Sequence, residues 1–378
     1  MSNISDKCVV IFGGGIAGVQ LARQLSEGVK VTLVDANDYF EVPMAAPRNL
    51  VRPSFAKRSI IPYAEALPGI TVVRGTLVEM SARSGRVVTS DGREAVLGGD
   101  VNVLSTGSLF ANSLMRAQGT TARERMRFYG QYQQAVAAAH RVLIVGGGPI
   151  GVEVAGEISE SHPQKAITLL EGGARLLAGT SELAARHVAS VLTGRGVSIV
   201  VGERLQSATT APEDVFGVKG QATTTSGRTI DYELLIWCTG GRPNTSYMKA
   251  HLGDALDDRG RIRVSADLRV VGHETMFALG DITDLKENKM AWHISSQVKH
   301  AATSIRRILR DPRATNLVAH RPQTDNPKMA ITLGSRQGVL HLPVFGVIRS
   351  PWFTRKAKAE HMLVPKYRRL LNLLPEVP

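Results

Sequence analysis

The feature that most constrains this chain is a glycine-rich turn between a short apolar run and a helical pattern. Its residues are Gly13-Gly14-Gly15-Ile16-Ala17-Gly18, and Asp35 follows 20 residues after the middle glycine, at the end of a second apolar run. In a dinucleotide-binding βαβ unit, the first glycine permits the tight turn, the second lets backbone N–H groups reach a pyrophosphate, and the third lets the helix pack on the strand. The acid at the strand end accepts a hydrogen bond from a ribose hydroxyl. The pattern therefore predicts that this turn and Asp35 bind a dinucleotide.

The same pattern returns about 130 residues later, in Gly146-Gly147-Gly148-Pro149-Ile150-Gly151. A helical stretch and another apolar run that ends in Glu171 follow it. Because one Rossmann unit needs one such turn, two turns predict two dinucleotide sites, the second formed by the three patterned glycines of this turn. Glu171 favours NADH, since a strand-end carboxylate pairs with a ribose 2′-hydroxyl and repels a 2′-phosphate. Arg175 lies close by in sequence, so NADPH use stays open.

Two other apolar runs end in turns of small residues, where a strand end can approach a ligand closely. They are Ser105-Thr106-Gly107-Ser108 and Cys238-Thr239-Gly240-Gly241, in which Thr106, Gly107 and Gly240 are candidate cofactor contacts. A third apolar run, 276–279, is followed directly by Gly280 and Asp281. Taken alone, an acid in this position is more often an ordinary turn or helix-capping residue than a ligand.

The cysteine content and the hydropathy pattern exclude several classes of protein. Cys8 and Cys238 are the only cysteines, which excludes a disulfide framework, a Cys-rich zinc site and a paired-thiol redox centre. No apolar run approaches the roughly 18 residues needed to span a bilayer. The first residues show neither a signal-peptide core nor a glycine at position 2 for myristoylation. We therefore expect a cytoplasmic protein with two free thiols.

Positive charge is concentrated at the C-terminal end of the chain. Of a formal net charge of +13, the residues 299–378 carry +11, from 15 Lys and Arg against four Asp and Glu. Such a basic region could contact nucleic acid, anionic lipid or an acidic partner, or only keep the protein soluble. Pro351-Trp352-Phe353, followed by the basic stretch 355–358, favours peripheral docking on an anionic membrane, where each cation contributes about 1 kcal/mol.

The order of these motifs resembles the two-dinucleotide-binding-domain flavoproteins, also called the pyridine nucleotide-disulfide oxidoreductase-like superfamily. Within it, the chain is similar to the ferroptosis suppressor and apoptosis-inducing-factor-like branch of flavin quinone reductases, which are related to type II NADH dehydrogenases. The likeness covers nearly the whole chain and is clearest in 147–158, 192–197 and Lys289-Met290-Ala291-Trp292. The fold class that it implies is α/β, with two Rossmann-like domains, the second inserted in the first, and a small α+β C-terminal domain.

In that family the first glycine turn holds FAD and the second holds NAD(P)H. The resemblance implies that Asp35 binds the adenosine ribose of FAD and that Asp281 accepts a hydrogen bond from a ribityl hydroxyl. Arg48 matches a flavin-contacting arginine and Val78 a residue whose backbone meets the adenine; a surface cation and a core valine are the respective alternatives. The other candidate FAD contacts are the first turn (Gly13, Gly14, Gly15, Ile16, Ala17 and Gly18) and, where a helix would begin facing the flavin, Met290 and Ala291.

Two residues are candidate catalytic groups. Glu153 follows the second glycine turn, and the resemblance implies that it lies near the nicotinamide and the flavin. The alternative is that it only interacts with the helix dipole, a contribution of about 0.3–1 kcal/mol. Lys356 resembles a C-terminal lysine that approaches the flavin and the acceptor; Lys358 competes for that role, and a surface lysine is the alternative. Hydride transfer from NADH to flavin, and then of two electrons to an acceptor, needs few other protein groups.

The sequence thus predicts an FAD-binding domain from 1–112 and 257–318, an NAD(P)H-binding domain at 113–256 and a C-terminal acceptor and membrane-docking domain at 319–378. The predicted function is that of an FAD-dependent NAD(P)H:quinone oxidoreductase bound peripherally to a membrane, with no metal. One alternative is a reductase of a redox protein such as a ferredoxin. Another is a basic, nucleic-acid-binding effector of the apoptosis-inducing-factor type, which is disfavoured because the chain contains no recognised nucleic-acid module.

Overall fold

The described part of the chain folds around two sheets rich in parallel strands, with two three-stranded and two two-stranded antiparallel sheets beside them. The computed structural model describes residues 4–110, 113–211, 214, 216, 219–322, 324 and 328–373. The predicted α/β fold class with Rossmann-like units is confirmed. The division of the chain into domains stays a prediction; its first boundary, after residue 112, and the end of its last domain lie outside the described residues.

The central strands are short and apolar along their whole length, because helices cover both faces of a parallel sheet. All four residues of Val101–Leu104, for example, are buried. The strands of the described residues, in chain order, are β1 Cys8–Phe12, β2 Lys30–Asp35, β3 Tyr39–Glu41, β4 Ile60–Pro62, β5 Thr71–Met80, β6 Gly85–Thr89, β7 Glu94–Leu97, β8 Val101–Leu104, β9 Ser108–Leu109, β10 Arg141–Val145, β11 Ala166–Glu171, β12 Ser198–Val201, β13 Leu205–Ala208, β14 Gly220–Thr224, β15 Thr229–Tyr232, β16 Leu234–Trp237, β17 Arg242–Pro243, β18 Met276–Ala278, β19 Met329–Leu333, β20 Gln337–Leu342 and β21 Gly346–Ile348.

Within the described ranges five helices are longer than two turns, and each has an apolar face that packs on a sheet or on another helix. The helix that begins at Ala122 is fixed at its start by a capping box, in which Thr121 and Glu124 each bind the other's backbone N–H. The helices are α1 Ile16–Leu25, α2 Ala46–Asn49, α3 Ala56–Ser59, α4 Tyr63–Ala66, α5 Ala122–Ala138, α6 Pro149–Ser161, α7 Glu182–Gly194, α8 Ala291–Arg310, α9 Pro351–Thr354 and α10 Val364–Leu370, and a π-helical turn covers Arg355–Ala359.

The first sheet has the strand order β18-β8-β1-β2-β5-β6-β7. Strand β1 lies between β2 and β8 and is parallel to both. Because β8 returns to the other side of β1, the chain reverses direction along the sheet at the carboxyl end of β1. Open α/β sheets bind their ligands at such a switch point. The first glycine turn lies there.

The second sheet repeats this arrangement on four parallel strands in the order β12-β11-β10-β16. Strand β10 lies between β11 and β16, and the second glycine turn follows its carboxyl end. The fold thus presents two glycine turns, each at the end of a central parallel strand and each followed by a helix, α1 or α6.

The C-terminal sheet has the order β19-β20-β21 and begins with the antiparallel hairpin of β19 and β20. Strand β19 packs on helix α6, so this sheet closes one side of the second glycine turn. A single apolar cluster includes residues of β10, α6 and β19, among them Val142, Val152 and Ile331. Among the described residues, no helix is both long and apolar enough to cross a bilayer.

Candidate active site

The first glycine turn accepts only glycine at three positions. Gly13 has a φ of +106°, and a Cβ there would lie 2.4 Å from the carbonyl oxygen of Ser105. A Cβ on Gly18 would lie 1.9 Å from the oxygen of Gly13, and one on Gly14 would lie 1.9 Å from the Tyr63 hydroxyl. The backbone therefore passes close to β8 and to Tyr63, and helix α1 starts at this turn with no side-chain cap. Its first N–H groups are left for a ligand.

Asp35 holds the backbone of the first turn. Its carboxylate accepts hydrogen bonds from the N–H of Gly14 at 2.6 Å and of Asn37 at 2.9 Å. A carboxylate has about four acceptor positions, so these two bonds leave capacity for a ribose hydroxyl. The Tyr63 hydroxyl, which donates to the Gly14 oxygen at 2.8 Å, has a pKa far above its ordinary value because it is fully buried.

The second turn has the same geometry. Gly146 has a φ of +109°, and a Cβ on Gly151 would lie 1.8 Å from the Gly146 oxygen. Glu171 accepts from the N–H of Gly147 and of Gly173, both at 2.6 Å, as Asp35 does in the first turn. Gly148 is half-buried, and a Cβ there would meet no atom within 4 Å, so its backbone faces open space. This space can admit a pyrophosphate.

A single cavity of about 810 Å³ joins the first turn to the start of helix α6 and to the C-terminal sheet. Its volume lies within the range of about 300–1,000 Å³ that is usual for cofactor and small-molecule sites. At one end it is lined by Gly14, Gly15, Ile16, Ala17 and Asp35, and at the other by Pro149, Ile150, Glu153, Met329, Leu340 and Lys358.

Asp281 and the start of helix α8 line the middle of this cavity. The Ser108 hydroxyl donates to Asp281 Oδ2 at 3.1 Å, and the Gly280 N–H donates to Gln297 Oε1 at 2.8 Å. Helix α8 begins at Ala291 with no side-chain cap, and Met290 and Ala291 line the cavity. The positive end of the helix dipole therefore faces the cavity and favours negative charge there.

The far end of the cavity contains a buried ion pair. Lys358 Nζ lies 2.5 Å from Glu153 Oε1 and 2.9 Å from the Ala330 oxygen. The same Glu153 oxygen accepts from the Thr332 N–H at 2.9 Å and from its hydroxyl at 3.0 Å. Both charged side chains are 6% exposed. The fold thus brings together a carboxylate from α6, a hydroxyl from β19 and an ammonium from the π-helical turn.

Lys356 does not reach this site, which corrects the prediction in favour of its alternative, Lys358. The Lys356 side chain is 59% exposed and pairs with Glu360 at 3.2 Å on the surface. The two lysines are separated by one residue in the π-helical turn, so their side chains leave it in different directions.

Arg48 and Val78 lie outside the cavity lining, in contrast to the implied contacts with flavin and adenine. The Arg48 guanidinium is fully buried and binds Glu157 of α6 through two nitrogens, at 2.9 and 2.7 Å. Burial raises the pKa of Glu157, and Arg48 opposes this effect. Val78 is half-buried on β5, four residues beyond Arg74, which is the register partner of Asp35.

Two of the predicted small-residue contacts also differ. The Thr106 hydroxyl donates to the Asn244 oxygen at 2.7 Å, and the neighbouring Gly107 lines the cavity instead. Gly240 is exposed, and the next residue, Gly241, lines the cavity in its place. Of the three candidates in these two turns, Gly107 lines the cavity, whereas Thr106 and Gly240 do not.

The two cysteines do not line the cavity. Burial raises the pKa of the Cys238 thiol to about 12, and burial together with Asp100 raises that of Cys8. Neither thiol is therefore activated as a nucleophile. Sequence reasoning missed Tyr63, Arg116 and Thr332, which line or support the cavity from distant segments and belong to no local pattern.

Comparison with known proteins agrees with this geometry. Residues 7–305 match the family described as pyridine nucleotide-disulphide oxidoreductase. Apoptosis-inducing factor homolog B of Dictyostelium discoideum is 26% identical over 97% of each chain, and ferroptosis suppressor protein 1 of Taeniopygia guttata is 31% identical over 79% of each chain. The solved sulfide:quinone oxidoreductase of Aquifex aeolicus has the same fold, with a TM-score of 0.74 and 17% identity over 97% of this chain and 92% of its own. The predicted resemblance is thus confirmed, and the chain belongs to the pyridine nucleotide-disulphide oxidoreductase family as a flavoprotein oxidoreductase.

Proposed function

We propose that this protein is an FAD-dependent NAD(P)H:quinone oxidoreductase that acts at a membrane surface. The observation that carries the proposal is the single cavity that touches both the FAD-type glycine turn and the first residues of α6, including Glu153. Two nucleotides bound at the two turns would meet in this cavity. Such an arrangement positions a hydride donor against its acceptor and excludes water.

The residues around the first turn fit FAD. The open N-terminus of α1 at Gly15 would bind the diphosphate, Asp35 the adenosine ribose, and Asp281 a hydroxyl of the ribityl chain. The start of α8 at Met290 and Ala291 would favour negative charge on the flavin ring. When bound, FAD supplies the chemistry of accepting a hydride from the nicotinamide and passing two electrons to the acceptor.

The second turn supports NADH as the preferred donor. Glu171 lies at the end of β11, where a 2′-phosphate would be repelled. Arg175, which left NADPH use open, donates to the Thr180 oxygen at 2.7 Å and to the Leu177 oxygen at 3.4 Å. These bonds hold the guanidinium against its own loop but use only two of its five N–H donors, so the preference for NADH rests on Glu171.

Lys358 is the proposed proton-carrying group at the acceptor end. Its two partners among the described residues are Glu153 and Ala330, which leaves one of its three N–H donors for an acceptor oxygen. Glu153, held by Thr332, fixes the direction of the ammonium. The pair would thus orient a carbonyl group of the acceptor and supply a proton to it.

A quinone fits this end better than a thiol or disulfide acceptor does. No cysteine lines the cavity, and the lining there is apolar, with Met329, Leu340 and Leu342. The name of the Aquifex aeolicus relative in fold, a sulfide:quinone oxidoreductase, supports the same acceptor class. Exposed apolar residues of the C-terminal region, Val344, Phe345, Trp352 and Phe353, support contact with the lipid in which quinones dissolve.

The test is a spectrum of the purified protein, recorded before and after NADH is added, with and without a short-chain quinone. We expect a bound flavin spectrum that bleaches with NADH, bleaches less with NADPH, and returns when quinone is added. A protein that takes up no flavin would refute the proposal. Bleaching without reoxidation by quinone, together with salt-dependent reduction of a ferredoxin, would establish the redox-protein alternative.

A further inference from the structure

The segment that connects the two glycine-turn units, residues 113–121, crosses the first turn and is fastened to it. Asn37 holds it from both sides, donating to the Ala117 oxygen at 3.0 Å and accepting from the Thr120 N–H at 3.1 Å. The Tyr39 hydroxyl lies 2.9 Å from the Thr120 hydroxyl. These bonds tie the segment to the residues that directly follow Asp35.

Arg116 projects from this segment into the cavity. Its Nη2 lies 3.5 Å from Asp35 Oδ2, and its side chain is 28% exposed. A Cβ on Gly15 would lie 3.5 Å from Nη1, and a Cβ on Gly107 would lie 2.7 Å from the same atom. The guanidinium therefore lies between the first glycine turn, which follows β1, and the small-residue turn with Gly107, which follows β8. This is the end of the cavity where α1 begins.

No other described residue, apart from the chain immediately around the turn, comes within 4 Å of the Cβ position of Gly15. The other cations of the described cavity lining are Arg261, Lys289, Lys328 and Lys358. Lys289 lies near Asp281, as its donation to the Thr283 oxygen at 2.8 Å indicates, and Lys358 lies at Glu153. Arg116 is thus the cation of the described lining that lies next to Gly15, at the start of α1.

We propose that Arg116 binds the diphosphate of FAD, an inference that rests on the proposed function. The N-terminus of α1 offers N–H groups and a partial charge of about +0.5, whereas a diphosphate carries two negative charges. A guanidinium at Gly15 supplies the missing charge, and its planar fork matches two phosphate oxygens. Asp35 keeps this guanidinium beside the turn, so that one carboxylate orients both the ribose and the diphosphate ligand.

The experiment measures FAD, ADP and riboflavin binding to the flavin-stripped full chain, with and without Arg116→Gln. Removing a charge-assisted contact should raise the Kd of FAD and of ADP by about 10- to 100-fold. Riboflavin, which has no phosphate, should bind as it does to the wild type. Salt should weaken ADP binding to the wild type more than to the variant.

Arg123→Gln is the matched control, because Arg123 is exposed in the first turn of α5 and the variant loses the same charge. It should bind all three ligands as the wild type does.

Equal FAD and ADP affinities in Arg116→Gln and the wild type would overturn the inference, as would an equal loss of riboflavin binding. If Arg116→Gln does not fold, Arg116→Lys, which keeps the charge without the fork, should bind ADP more weakly than the wild type and riboflavin equally well; an unchanged ADP affinity would overturn the inference. A wild-type chain that binds no FAD would instead refute the proposed function itself.

Discussion

Glu153 and Lys358 form a deeply buried ion pair at the cavity, and such a pair is costly to bury. Removing two charges from water costs several kcal/mol for each, and the attraction between them offsets this only if their remaining hydrogen bonds are made. Thr332 and the Ala330 oxygen supply those bonds. A pair of apolar side chains would fill the same space at lower cost. The position of the Glu153–Lys358 pair at the cavity end therefore indicates a chemical role.

Replacing Lys358 with Met should affect both stability and turnover. Glu153 would be left as an unpaired buried carboxylate, which should lower the free energy of unfolding by about 3–5 kcal/mol. We expect FAD content to be kept and quinone turnover to fall at least about 10-fold, because one proton-carrying group is lost. Urea unfolding and steady-state kinetics with NADH measure the two effects.

The control is Lys356→Met, which removes an exposed lysine from the same turn. It should leave both the unfolding curve and the turnover number as they are in the wild type. If it reduced turnover as much as Lys358→Met does, the assignment of the buried lysine would be wrong.

Local spacing predicted those site residues that belong to one βαβ unit. Asp35 and Glu171 each end the second strand of such a unit, and each accepts a hydrogen bond from the second residue of its glycine turn, Gly14 or Gly147. Their positions follow from strand and helix lengths alone. Lys358 was separated from Lys356 only by the geometry of a π-helical turn, and Arg116 reaches the cavity from a connection without periodicity. Neither the burial of Lys358 nor the position of Arg116 in the cavity can be predicted from local sequence spacing.

At the scale of elements, helices α2 and α6 are joined by the Arg48–Glu157 ion pair, whose side chains are 2% and 1% exposed. The first belongs to the unit of the first glycine turn and the second to that of the other turn. The pair therefore fixes how the two units meet above the cavity. The family resemblance implied that Arg48 contacts the flavin. The sequence alone does not show which residue an arginine pairs with, so it could not indicate Glu157.

A double substitution distinguishes these two roles of Arg48. Arg48→Met alone should destabilise the fold by about 3–5 kcal/mol, because Glu157 would remain as an unpaired buried carboxylate. Arg48→Met with Glu157→Leu should recover most of this loss, since an apolar pair replaces the ion pair. The ratio of flavin to protein absorbance in the folded double variant should equal that of the wild type. Loss of flavin from a double variant of normal stability would restore the flavin-contact role.

Helix α6 and strand β19 approach so closely that only glycine fits between them. A Cβ on Gly156 would lie 2.6 Å from Leu333 Cα, which is a backbone atom and cannot turn aside. Gly156→Ala should therefore cost about 1–3 kcal/mol through overpacking, and it should move β19 with Thr332 away from Glu153. Thermal unfolding measures the cost, and the NADH-dependent turnover reports the displacement.

The matched control is Gly130→Ala in the middle of α5, where a Cβ would meet no atom within 4 Å. Alanine is the better helix former, so the free energy of unfolding of this variant should rise by about 0.5–1 kcal/mol. Replacing glycine with alanine should thus destabilise the protein in α6 and stabilise it in α5. A gain in stability for Gly156→Ala, like that expected for Gly130→Ala, would mean that the close contact of α6 with β19 does not limit the side chain at Gly156.

At the scale of the whole molecule, one C-terminal unit both closes the cavity and exposes apolar turns. Leu340, Leu342 and Lys358 line the cavity, while Val344 and Phe345, in the next turn, are 87% and 75% exposed. The surrounding region holds most of the net positive charge of the chain. Docking of these turns on an anionic bilayer would bring the acceptor end of the cavity close to the lipid.

Val344→Asp with Phe345→Asp tests this docking. Each apolar side chain that enters lipid should contribute about 1.5–3 kcal/mol, so binding to vesicles of phosphatidylcholine and phosphatidylserine should fall at least about 10-fold. Turnover with a long-chain quinone in those vesicles should fall in parallel, whereas turnover with a short-chain quinone in solution should not change. Val96→Asp, at a valine of β7 that is 70% exposed, is the control and should bind vesicles as the wild type does. If wild type and double variant sedimented equally with the vesicles, these turns would not be the docking surface, because two new carboxylates cannot enter an anionic bilayer without a cost.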